Sequence, residues 1–420
     1  MAAQPDVLII GGGAIGVCAA YDLAGPGCRV TLVEQGGLAA GSSYGNAGLI
    51  VPSHIIPLSA PGALTSGLKW LLDPESPFYI KPQADLKFTW WLLQFAAHCT
   101  PAHVRHAVPV LHALGRASMA LYEQWAALPG LDCGYQRLGL LTLFNSRQGL
   151  QAAMPDVRLL QANGIEAQML DGAQVREMEP NVLPGIVGGT FYPGDAHFTP
   201  DQFVRVLAGL AGQKGARLRT GVEVLGFERT GRRVTAVRTT RGDFTPDEIV
   251  LAAGAWSPAL ARDLQLNLPI QPAKGYSVTV KRPATAPRIP LALGESRVVV
   301  TPMNGPDGPV LRFAGTLELA GFDFSINRRR VDAVARAVRS YLPGMDDLET
   351  VEIWRGLRPC TPDGLPIIAR PQSLENVVVA TGHAMLGMSL APITGKLVGQ
   401  LVRHEPPALD LPPLRVERFP

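Results

Sequence analysis

The first apolar stretch of the chain, Val7 to Ile10, is short, uninterrupted and followed at once by glycines. Such a run is typical of a strand that is buried on both faces of a parallel sheet. A helix is expected from Val17 to Leu23, and a second strand from Arg29 to Val33, which ends in Glu34. Strand, glycine turn, helix and strand in this order predict a dinucleotide-binding unit.

Two later apolar runs also end in glycine. Residues 248–254 and 376–382 each predict a buried strand that stops at a turn, and a helix is expected from Leu390 to Val402. Between the N-terminal unit and the last of these runs lie four segments typical of strands in a mixed or antiparallel sheet, residues 139–144, 275–280, 297–301 and 310–314. The pattern therefore predicts an α/β fold in which a second domain interrupts the nucleotide domain.

The predicted domains are interleaved along the chain. We expect a Rossmann-like nucleotide domain of the glutathione-reductase type, built from residues 1–60, 197–268 and 351–404. Residues 61–196 and 269–350 are expected to form an α+β substrate domain with a mixed or antiparallel sheet. Residues 405–420 are expected to be a C-terminal tail.

Composition and charge narrow the class of protein. The 45 glycines and 37 prolines among 420 residues exceed their usual share of about 12%, which indicates many turns. The net charge of +3 is too small to indicate a nucleic-acid surface. The five cysteines form no CxxC pair and favour reduced thiols in the cytoplasm. No basic region precedes the first apolar run, so we expect no signal peptide.

The histidines between residues 98 and 112 do not predict a metal site. Four lie in this segment, but Pro101 interrupts it and no carboxylate completes a set of ligands. We therefore expect no metal.

The glycines after the first strand have separate tasks in binding a dinucleotide. Gly11 allows a tight turn, Gly13 lets the backbone approach a pyrophosphate, and Gly16 lets the helix pack on the strand. Glu34 can accept hydrogen bonds from both ribose hydroxyls of an adenosine. These features alone do not separate NAD from FAD. The helix expected near Ser389 favours a flavin, because its N-terminus would face the negative charge of a reduced flavin ring.

Several motifs resemble the FAD-dependent D-amino acid oxidase and dehydrogenase family, and most closely its bacterial D-amino acid dehydrogenases, including D-hydroxyproline dehydrogenase-like members. Besides the first glycine motif, the carriers are residues 42–48, 274–277, 315–318, 354–364 and 381–383. The block at 354–364, W-x-G-x-R-P-x-T-P-D-G, is specific to this family. The similarity covers nearly the whole chain.

The resemblance implies FAD as the cofactor and extends the set of expected contacts. The cysteine that binds flavin covalently in the sarcosine-oxidase-like relatives aligns with Gly356 here, so non-covalent FAD is expected. The motifs and the resemblance together give the expected FAD contacts, which are Gly11, Gly13, Ala14, Ile15, Gly16, Glu34, Gln35, Ser42, Ser43, Asn46, Ala47, Gly48, Leu49, Val224, Ala253, Gly254, Trp256, Gly356, Gly382, His383, Met385, Leu386, Gly387 and Met388.

By resemblance, Arg358 is the residue that binds the substrate carboxylate. A guanidinium pairs bidentately with a carboxylate, which suits this role. Two alternatives stay open: Arg358 could be an ion-pair arginine with Asp363 as its partner, or Arg355 could take the role.

Tyr276, Tyr44 and His54 are candidates to line the substrate pocket, although each could equally be packed at a domain boundary. Relatives often have a second arginine where this chain has Met385, so the pocket looks less polar and suited to a larger or cyclic substrate. D-proline or 4-hydroxy-D-proline fits that description. His383 is expected to contact flavin or to be structural rather than to act as a base.

The resemblance implies oxidation of a D-amino acid to an imino or 2-oxo acid by hydride transfer from Cα to the flavin. One alternative is a glycine- or sarcosine-type amine oxidase that uses O2. Another is a flavoprotein subunit that only transfers electrons.

Residues 68–95 combine aromatic and basic side chains, namely Trp70, Trp90, Trp91, Phe78, Phe88 and Phe95 with Lys69, Lys81 and Lys87. One interpretation is peripheral contact with the inner face of a membrane, where a quinone would accept the electrons. The alternatives are a helical cover over the substrate domain or a subunit interface within an oligomer.

Overall fold

The computed structural model of the chain describes residues 4–63 and 76–419. Within these ranges six strands form one sheet in the spatial order β18-β19-β12-β1-β2-β9. Their bounds are β1 (Asp6–Ile10), β2 (Arg29–Glu34), β9 (Arg217–Thr220), β12 (Glu248–Leu251), β18 (Ile367–Ala369) and β19 (Val377–Thr381). All neighbours are parallel except β18 and β19. This confirms the Rossmann-like unit predicted from the apolar runs.

A second, larger sheet is mixed, as predicted. In the part of the chain described, its order is β17-β13-β16-β15-β14-β5-β7-β6, and β4 pairs with β16. The bounds are β4 (Phe78–Ile80), β5 (Leu140–Phe144), β6 (Gln168–Asp171), β7 (Gly188–Tyr192), β13 (Gln271–Lys281), β14 (Leu291–Leu293), β15 (Val298–Gly305), β16 (Gly308–Leu319) and β17 (Thr350–Cys360). Two short pairs complete the strands, β3 (Leu49–Ile50) with β8 (Ala196–His197) and β10 (Val224–Thr230) with β11 (Arg233–Thr239).

Helices cover both sheets. Those described are α1 (Ala14–Leu23), α2 (Leu86–His98), α3 (Pro101–Ala126), α4 (Arg147–Ala162), α5 (Gly172–Met178), α6 (Pro200–Gln213), α7 (Ser257–Asp263), α8 (Arg328–Arg339) and α9 (Gly387–Val402). The apolar core of the first sheet includes side chains of α1, α3, α6 and α9. Burial of this apolar surface is the main force that holds these helices on the sheet.

Two segments pack differently from the predicted domain boundaries. Residues 351–360 were assigned to the nucleotide domain, but β17 pairs with β13 along its length and so belongs to the larger sheet. Helix α3 was assigned to the substrate domain, but its apolar face joins the nucleotide-binding core, and the Tyr122 hydroxyl donates to the carbonyl oxygen of Met388 at 2.6 Å. Both differences arise from contacts between residues far apart in sequence.

Helix α9 begins at Gly387, three residues before the predicted start. The segment Ala384–Val402 is long and apolar enough to cross a membrane by length and composition, but about two thirds of it is buried inside the protein. Its apolar character therefore reflects its place in the core.

The larger sheet presents two faces, because successive side chains of a strand point to opposite sides. We call the inner face the side of β13 and β17 that bears Ala273, Gly275, Ser277 and Thr279 with their register partners Arg358, Gly356, Trp354 and Glu352. The outer face bears Tyr276, Val278 and Ile353, which pack against α8. The inner face is the side on which the candidate site lies.

Candidate functional site

Two of the glycines after β1, Gly11 and Gly16, occupy positions that no other residue fits. Gly11 has a φ of +117°, and a Cβ there would lie 2.4 Å from the carbonyl oxygen of Ala252. A Cβ on Gly16 would lie 2.0 Å from the carbonyl oxygen of Gly11. A Cβ on Gly13, by contrast, would have only the Ser43 hydroxyl within 4 Å, at 3.3 Å. The turn is therefore tight on its protein side and open at Gly13, as a close approach to pyrophosphate requires.

The N-terminus of α1 is suited to an anion. Its N-cap, Gly13, provides no side-chain cap, and the first turn, which contains Ile15, carries no acidic residue. The N–H of Ala14 donates to the Ser43 hydroxyl at 3.0 Å. Free N–H groups and the positive end of the helix dipole attract phosphate at such a position.

Glu34 is held at the end of β2, where an adenosine ribose is expected. Its Oε2 accepts from the N–H of Gly12 at 2.7 Å, and its Oε1 accepts from the N–H of Gly36 at 2.9 Å. Each carboxylate oxygen keeps a further lone pair for a ribose hydroxyl. Gln35 follows it on the surface. Val224 begins β10 two residues after Val222, whose N–H donates to the carbonyl oxygen of Glu34 at 2.9 Å.

The loop of residues 42–49 crosses from this corner to the larger sheet. The Asn46 side chain accepts from the N–H of Gly48 at 2.9 Å and closes a local turn. Gly48 has a φ of +71°, and a Cβ there would lie 2.2 Å from the carbonyl oxygen of Phe198. The shape of this loop thus depends on Gly48. Ala47 precedes this glycine, and Leu49 follows it and begins the short strand β3.

Two further turns lie at the ends of β12 and β19. Ala253 precedes Gly254, which has a φ of +54° and begins a short 3-10 turn through Trp256. Gly382 has a φ of +78° and leads to His383. Both turns follow strand ends on the same edge of the parallel sheet as Gly11, which is where this type of sheet binds nucleotides.

The second helix N-terminus, that of α9, also lacks a side-chain cap and an acidic residue in its first turn. Leu386 is its N-cap, and Gly387 and Met388 open the helix. The hydroxyl of Ser389 is engaged elsewhere, because it donates to the carbonyl oxygen of Leu49 and accepts from the N–H of Val51, both at 3.1 Å. The backbone of this turn, rather than Ser389, is therefore what α9 offers to a flavin.

His383 is an interior residue. Its Nε2 is 3.0 Å from the hydroxyl of Thr394, and burial lowers its pKa to about 3. The imidazole is therefore neutral at physiological pH. This location agrees with a structural or flavin-contacting histidine and disfavours a general base.

Arg358 lies deep on the inner face. Its Nη1 donates to the carbonyl oxygen of Thr316 at 2.9 Å, and among the described residues it has no ion pair with a carboxylate. Asp363, the partner considered above, instead binds Arg418, with 2.7 Å between Oδ2 and Nε. Burial lowers the pKa of Arg358, but a guanidinium remains charged. A deep cation with a single neutral acceptor is suited to an anionic ligand.

Glycine at position 275 makes room for this guanidinium. A Cβ on Gly275 would lie 2.1 Å from Nη1 of Arg358. A Cβ on Gly356, the next inner-face position along β17, would lie 2.0 Å from the ring of Trp354. Arg355, the competing candidate, is on the outer face, where its guanidinium lies 4.8 Å from the centre of the Phe324 ring.

The structure does not bring Tyr276 to Arg358. Tyr276 is only 1% exposed and packs in the core between the larger sheet and α8, with its hydroxyl accepting from the N–H of Asn327 at 3.3 Å. The two-residue period of β13 places it on the outer face, opposite Gly275. Tyr276 is therefore a packed residue, which was the alternative to lining the substrate pocket.

Tyr44 is also remote from Arg358. Burial and the carboxylates of Glu352 and Asp201 raise its pKa, and the Arg205 guanidinium lies 6.0 Å from the centre of its ring. Glu352 precedes Arg358 by six residues on β17, a distance of about 20 Å along an extended strand. Tyr44 therefore lies at the far end of the inner face.

His54 lies on the loop after β3, where its side chain reaches solvent although protein atoms surround it closely. Burial, with a smaller contribution from Arg297, lowers its pKa to about 4. The preceding residue is fixed, since the Ser53 hydroxyl donates to Asp195 at 2.6 Å and the Ser53 N–H donates to the same carboxylate at 3.2 Å. A neutral His54 can form a hydrogen bond to a ligand but cannot bind a carboxylate as a cation.

Two residues with polar roles near this site were missed in the sequence. Arg312 and Asp195 are both buried and hydrogen-bonded to loops of the site. A charged residue inside the apolar run 310–314 was the available signal for Arg312, because a buried guanidinium needs partners. Nothing in the local sequence distinguishes Asp195.

These observations fit FAD. The open Gly13, the uncapped N-terminus of α1 and the fixed Glu34 suit an adenosine pyrophosphate. The turns at Gly254 and Gly382 and the N-terminus of α9 would face the ring at the other end. Gly356 carries no thiol, and burial raises the pKa of Cys360 to about 12; non-covalent binding stays a prediction.

Comparison with known proteins agrees with the geometry. A family model described as "DAO: FAD dependent oxidoreductase" matches residues 6–401. The D-amino acid dehydrogenase of Cereibacter sphaeroides is 34% identical, over 98% of this chain and 95% of that protein. The D-amino acid dehydrogenase of Xanthobacter autotrophicus is 34% identical, over 98% and 99%.

Solved structures share the fold over nearly the whole chain. Glycine oxidase from Geobacillus kaustophilus has a TM-score of 0.80 and 26% identity, and the match covers 99% of each chain. L-proline dehydrogenase from P. horikoshii has a TM-score of 0.75 and 18% identity, and the match covers 100% of this chain and 98% of that one.

Proposed function

The chain belongs to the DAO family of FAD-dependent oxidoreductases, and from this we propose that it is a dehydrogenase that oxidises D-amino acids at Cα. The observation that supports an amino-acid substrate is Arg358, an inner-face guanidinium whose only described partner is the carbonyl oxygen of Thr316. A substrate carboxylate would supply the missing anion through two parallel hydrogen bonds. The D configuration is supported by the names of the relatives.

In the proposed reaction the substrate loses a hydride from Cα and a proton from nitrogen, which leaves an imino acid. FAD, when bound, supplies the acceptor for the hydride. Arg358 holds the carboxylate and thereby fixes the direction of the Cα–H bond, and such orientation contributes several kcal/mol. Water hydrolyses the imine to a 2-oxo acid and ammonia unless the imine is cyclic.

The proposed reaction requires no strong base. His54 is neutral above a pKa of about 4 and can accept a hydrogen bond from the substrate amine. An amine that enters neutral needs to lose its proton only after the hydride has left. The chain's task in this scheme is binding and orientation.

We further propose a preference for a cyclic substrate such as D-proline or 4-hydroxy-D-proline. Met385, at the position where relatives often carry an arginine, is 49% exposed beside the start of α9. The adjacent Leu386 packs against the apolar cluster of Leu49, Val51 and Leu140, and Ala292 and Val299 of the larger sheet pack against the same cluster. Apolar side chains in these places favour a ring of CH2 groups over a charged side chain.

Peripheral membrane contact is proposed for α2. Its buried face contributes Phe88, Trp91 and Phe95 to the core, whereas Leu86, Trp90 and Leu93 are 89%, 57% and 57% exposed on the other face. Their spacing makes one apolar stripe along the helix. Of the aromatic segment 68–95, Lys69 and Trp70 lie outside the described residues.

Flotation with anionic liposomes tests this contact. The protein should float, and a variant with Leu86, Trp90 and Leu93 all replaced by serine should not. If the triple variant changes the oligomeric state instead, the stripe is a subunit interface. Two further predictions depend on this contact. They are a membrane quinone as electron acceptor and a location in the cytoplasm at the inner face of the membrane.

The second candidate is an amine oxidase that uses O2, favoured by the likeness to the Geobacillus kaustophilus glycine oxidase structure. Arg358 disfavours a subunit that only transfers electrons, because such a subunit would bind no substrate carboxylate.

Anaerobic mixing with D- and L-amino acids and glycine tests the proposal. Loss of the flavin absorbance with D-amino acids, and its slow return in air, supports a dehydrogenase. Rapid return in air indicates an oxidase, and no loss with any amine contradicts an amino-acid substrate. Release of FAD on acid precipitation tests non-covalent binding.

A further inference from the structure

Arg312 is a buried cation on the inner face. It lies on β16 with 6% exposure, and its Nε donates to the hydroxyl of Thr279 at 3.0 Å. Its Nη1 donates to two backbone carbonyl oxygens of one loop, that of Tyr44 at 3.1 Å and that of Asn46 at 3.0 Å. Arg312 therefore joins the larger sheet to the loop of residues 42–48.

The guanidinium suits this task better than other side chains. Its planar fork can hold two carbonyl groups and a hydroxyl at the same time, whereas an ammonium is a compact point charge. Burial lowers the pKa of Arg312, and among the described residues it is paired with no carboxylate at contact distance; Asp201 and Glu352 act on it from further away. A buried charge costs free energy. This cost indicates that the hydrogen bonds from Arg312 to the loop have a function.

The same loop has attachments on its other sides. The Ser43 hydroxyl accepts from the N–H of Ala14 at the start of α1, and the Ser42 hydroxyl donates to the carbonyl oxygen of Leu357 on β17. Gly45, between the two carbonyls that Arg312 binds, packs so closely on Trp354 that a Cβ would lie 2.1 Å from the indole ring. The loop thus spans the gap between the phosphate end of the site and the strand that carries Arg358.

We infer that Arg312 is a positioning residue for FAD, which holds the loop of residues 42–48 in its binding shape before the cofactor arrives. The inference rests on the proposed contact of FAD with this loop. A loop that is already ordered in the folded protein loses little conformational entropy when FAD binds. A fixed loop therefore raises the affinity for FAD. Without Arg312, the Tyr44 and Asn46 carbonyls lose their donor, and the loop has to be ordered by FAD itself.

Titration of the apoprotein with FAD, followed by quenching of flavin fluorescence, tests the inference without any turnover. We expect Arg312→Met to weaken FAD binding by about tenfold or more, equivalent to about 1.4 kcal/mol. Arg312→Lys should recover part of the loss, because an ammonium can still donate to one of the carbonyls. The absorption spectrum of the bound flavin should also shift in Arg312→Met, since the ring meets a changed environment.

Arg370→Met is the matched control. Arg370 is a largely buried arginine of the nucleotide-binding half that donates to Glu248 and to the carbonyl oxygen of Leu401, both at 2.9 Å. This variant should lower the melting temperature of the apoprotein while leaving FAD affinity within about twofold. Equal weakening in Arg370→Met and Arg312→Met would mean that general destabilisation causes the loss, which overturns the inference.

Thr279→Val tests the link through Arg312 and also serves if Arg312→Met does not fold. Valine matches threonine in shape but leaves Nε of Arg312 without its acceptor. We expect weaker FAD binding in Thr279→Val, and no further loss when this change is added to Arg312→Lys or Arg312→Met. Unchanged affinity in both Thr279→Val and Arg312→Lys overturns the inference. If the unaltered protein fails to bind FAD, the cofactor assignment fails instead.

Discussion

Nη1 of Arg358 donates a hydrogen bond of 2.9 Å to the carbonyl oxygen of Thr316, a residue whose φ is +62°. A β-branched residue rarely adopts this left-handed conformation. Thr316 lies where the register between β13 and β16 shifts, and the bulge leaves its carbonyl available to Arg358. A strained backbone position thus supports the guanidinium that is proposed to bind the substrate carboxylate.

Thr316→Gly should relieve this strain while keeping the carbonyl. We expect its melting temperature to equal or exceed that of the parent, since backbone strain of this kind costs about 1–3 kcal/mol. Thr301→Gly is the control, because Thr301 is also buried and also has an unpartnered hydroxyl, but it has no positive φ. Thermal unfolding of both variants measures the difference, and equal destabilisation would contradict strain at Thr316.

Gly275→Ala should displace the Arg358 guanidinium, because the added Cβ would lie 2.1 Å from Nη1. We expect the KM for the amino acid to rise by about tenfold or more, given the sensitivity of oriented reactions to small displacements, with FAD content unchanged. Gly209→Ala on α6 is the control, since a Cβ there meets nothing within 4 Å. Steady-state kinetics under one acceptor compares them, and an unchanged KM in Gly275→Ala would speak against the site.

Arg297→Met should raise the pKa of His54 above about 4, because a nearby cation disfavours protonation. Burial, the larger cause, remains, so the pKa should stay below 6.5. Arg282→Met should instead raise the pKa of His197, which burial and, to a smaller extent, Arg282 lower to about 4. Histidine NMR titration of the two variants tests the assignment; a His54 signal that responds only to Arg282→Met would contradict it.

Asp195→Asn should change how stability depends on pH. Burial is the largest influence on Asp195 and raises its pKa to about 7, although the hydrogen bonds from Ser53 act to lower it. The folded state therefore keeps a proton that the unfolded state loses near pH 4, and this contribution to stability declines as pH rises from about 4 to about 7. Asparagine does not titrate, so the melting temperature of Asp195→Asn relative to the parent should rise across this window. Parallel curves would show that Asp195 ionises at its ordinary pKa.

The sequence was sufficient for features set by neighbouring residues. The strand that ends at Ile10, the turn at Gly11 and the mixed sheet follow from local patterns, and the structure confirms the fold. The pairing of β17 with β13 was not predictable, because it joins residues about 80 positions apart by a register that no local pattern states. The placement of Tyr276 shows the same limit: alternation put it opposite Gly275, but not on a known face of the sheet.

The side chains around the candidate site divide in the same way. The glycine motif is recognisable from its own spacing, and Arg358 from its place in the block at 354–364 that resembles the family. Arg312 and Asp195 gain theirs only from loops that fold onto them, at Tyr44 and at Ser53. Such partners become visible only when the chain is folded.

Anaerobic reduction of the bound flavin by D-proline, compared between the parent protein and Arg358→Met, tests the central claim most directly. FAD content is measured first in both proteins, and Arg370→Met serves as the folded control. We predict equal FAD content, with a concentration for half-maximal reduction rate that is at least about a hundredfold higher in Arg358→Met, as loss of a charge-assisted bidentate pair implies. Equal FAD content with an unchanged concentration dependence for every D-amino acid that reduces the flavin would contradict the assignment of Arg358 to the substrate carboxylate.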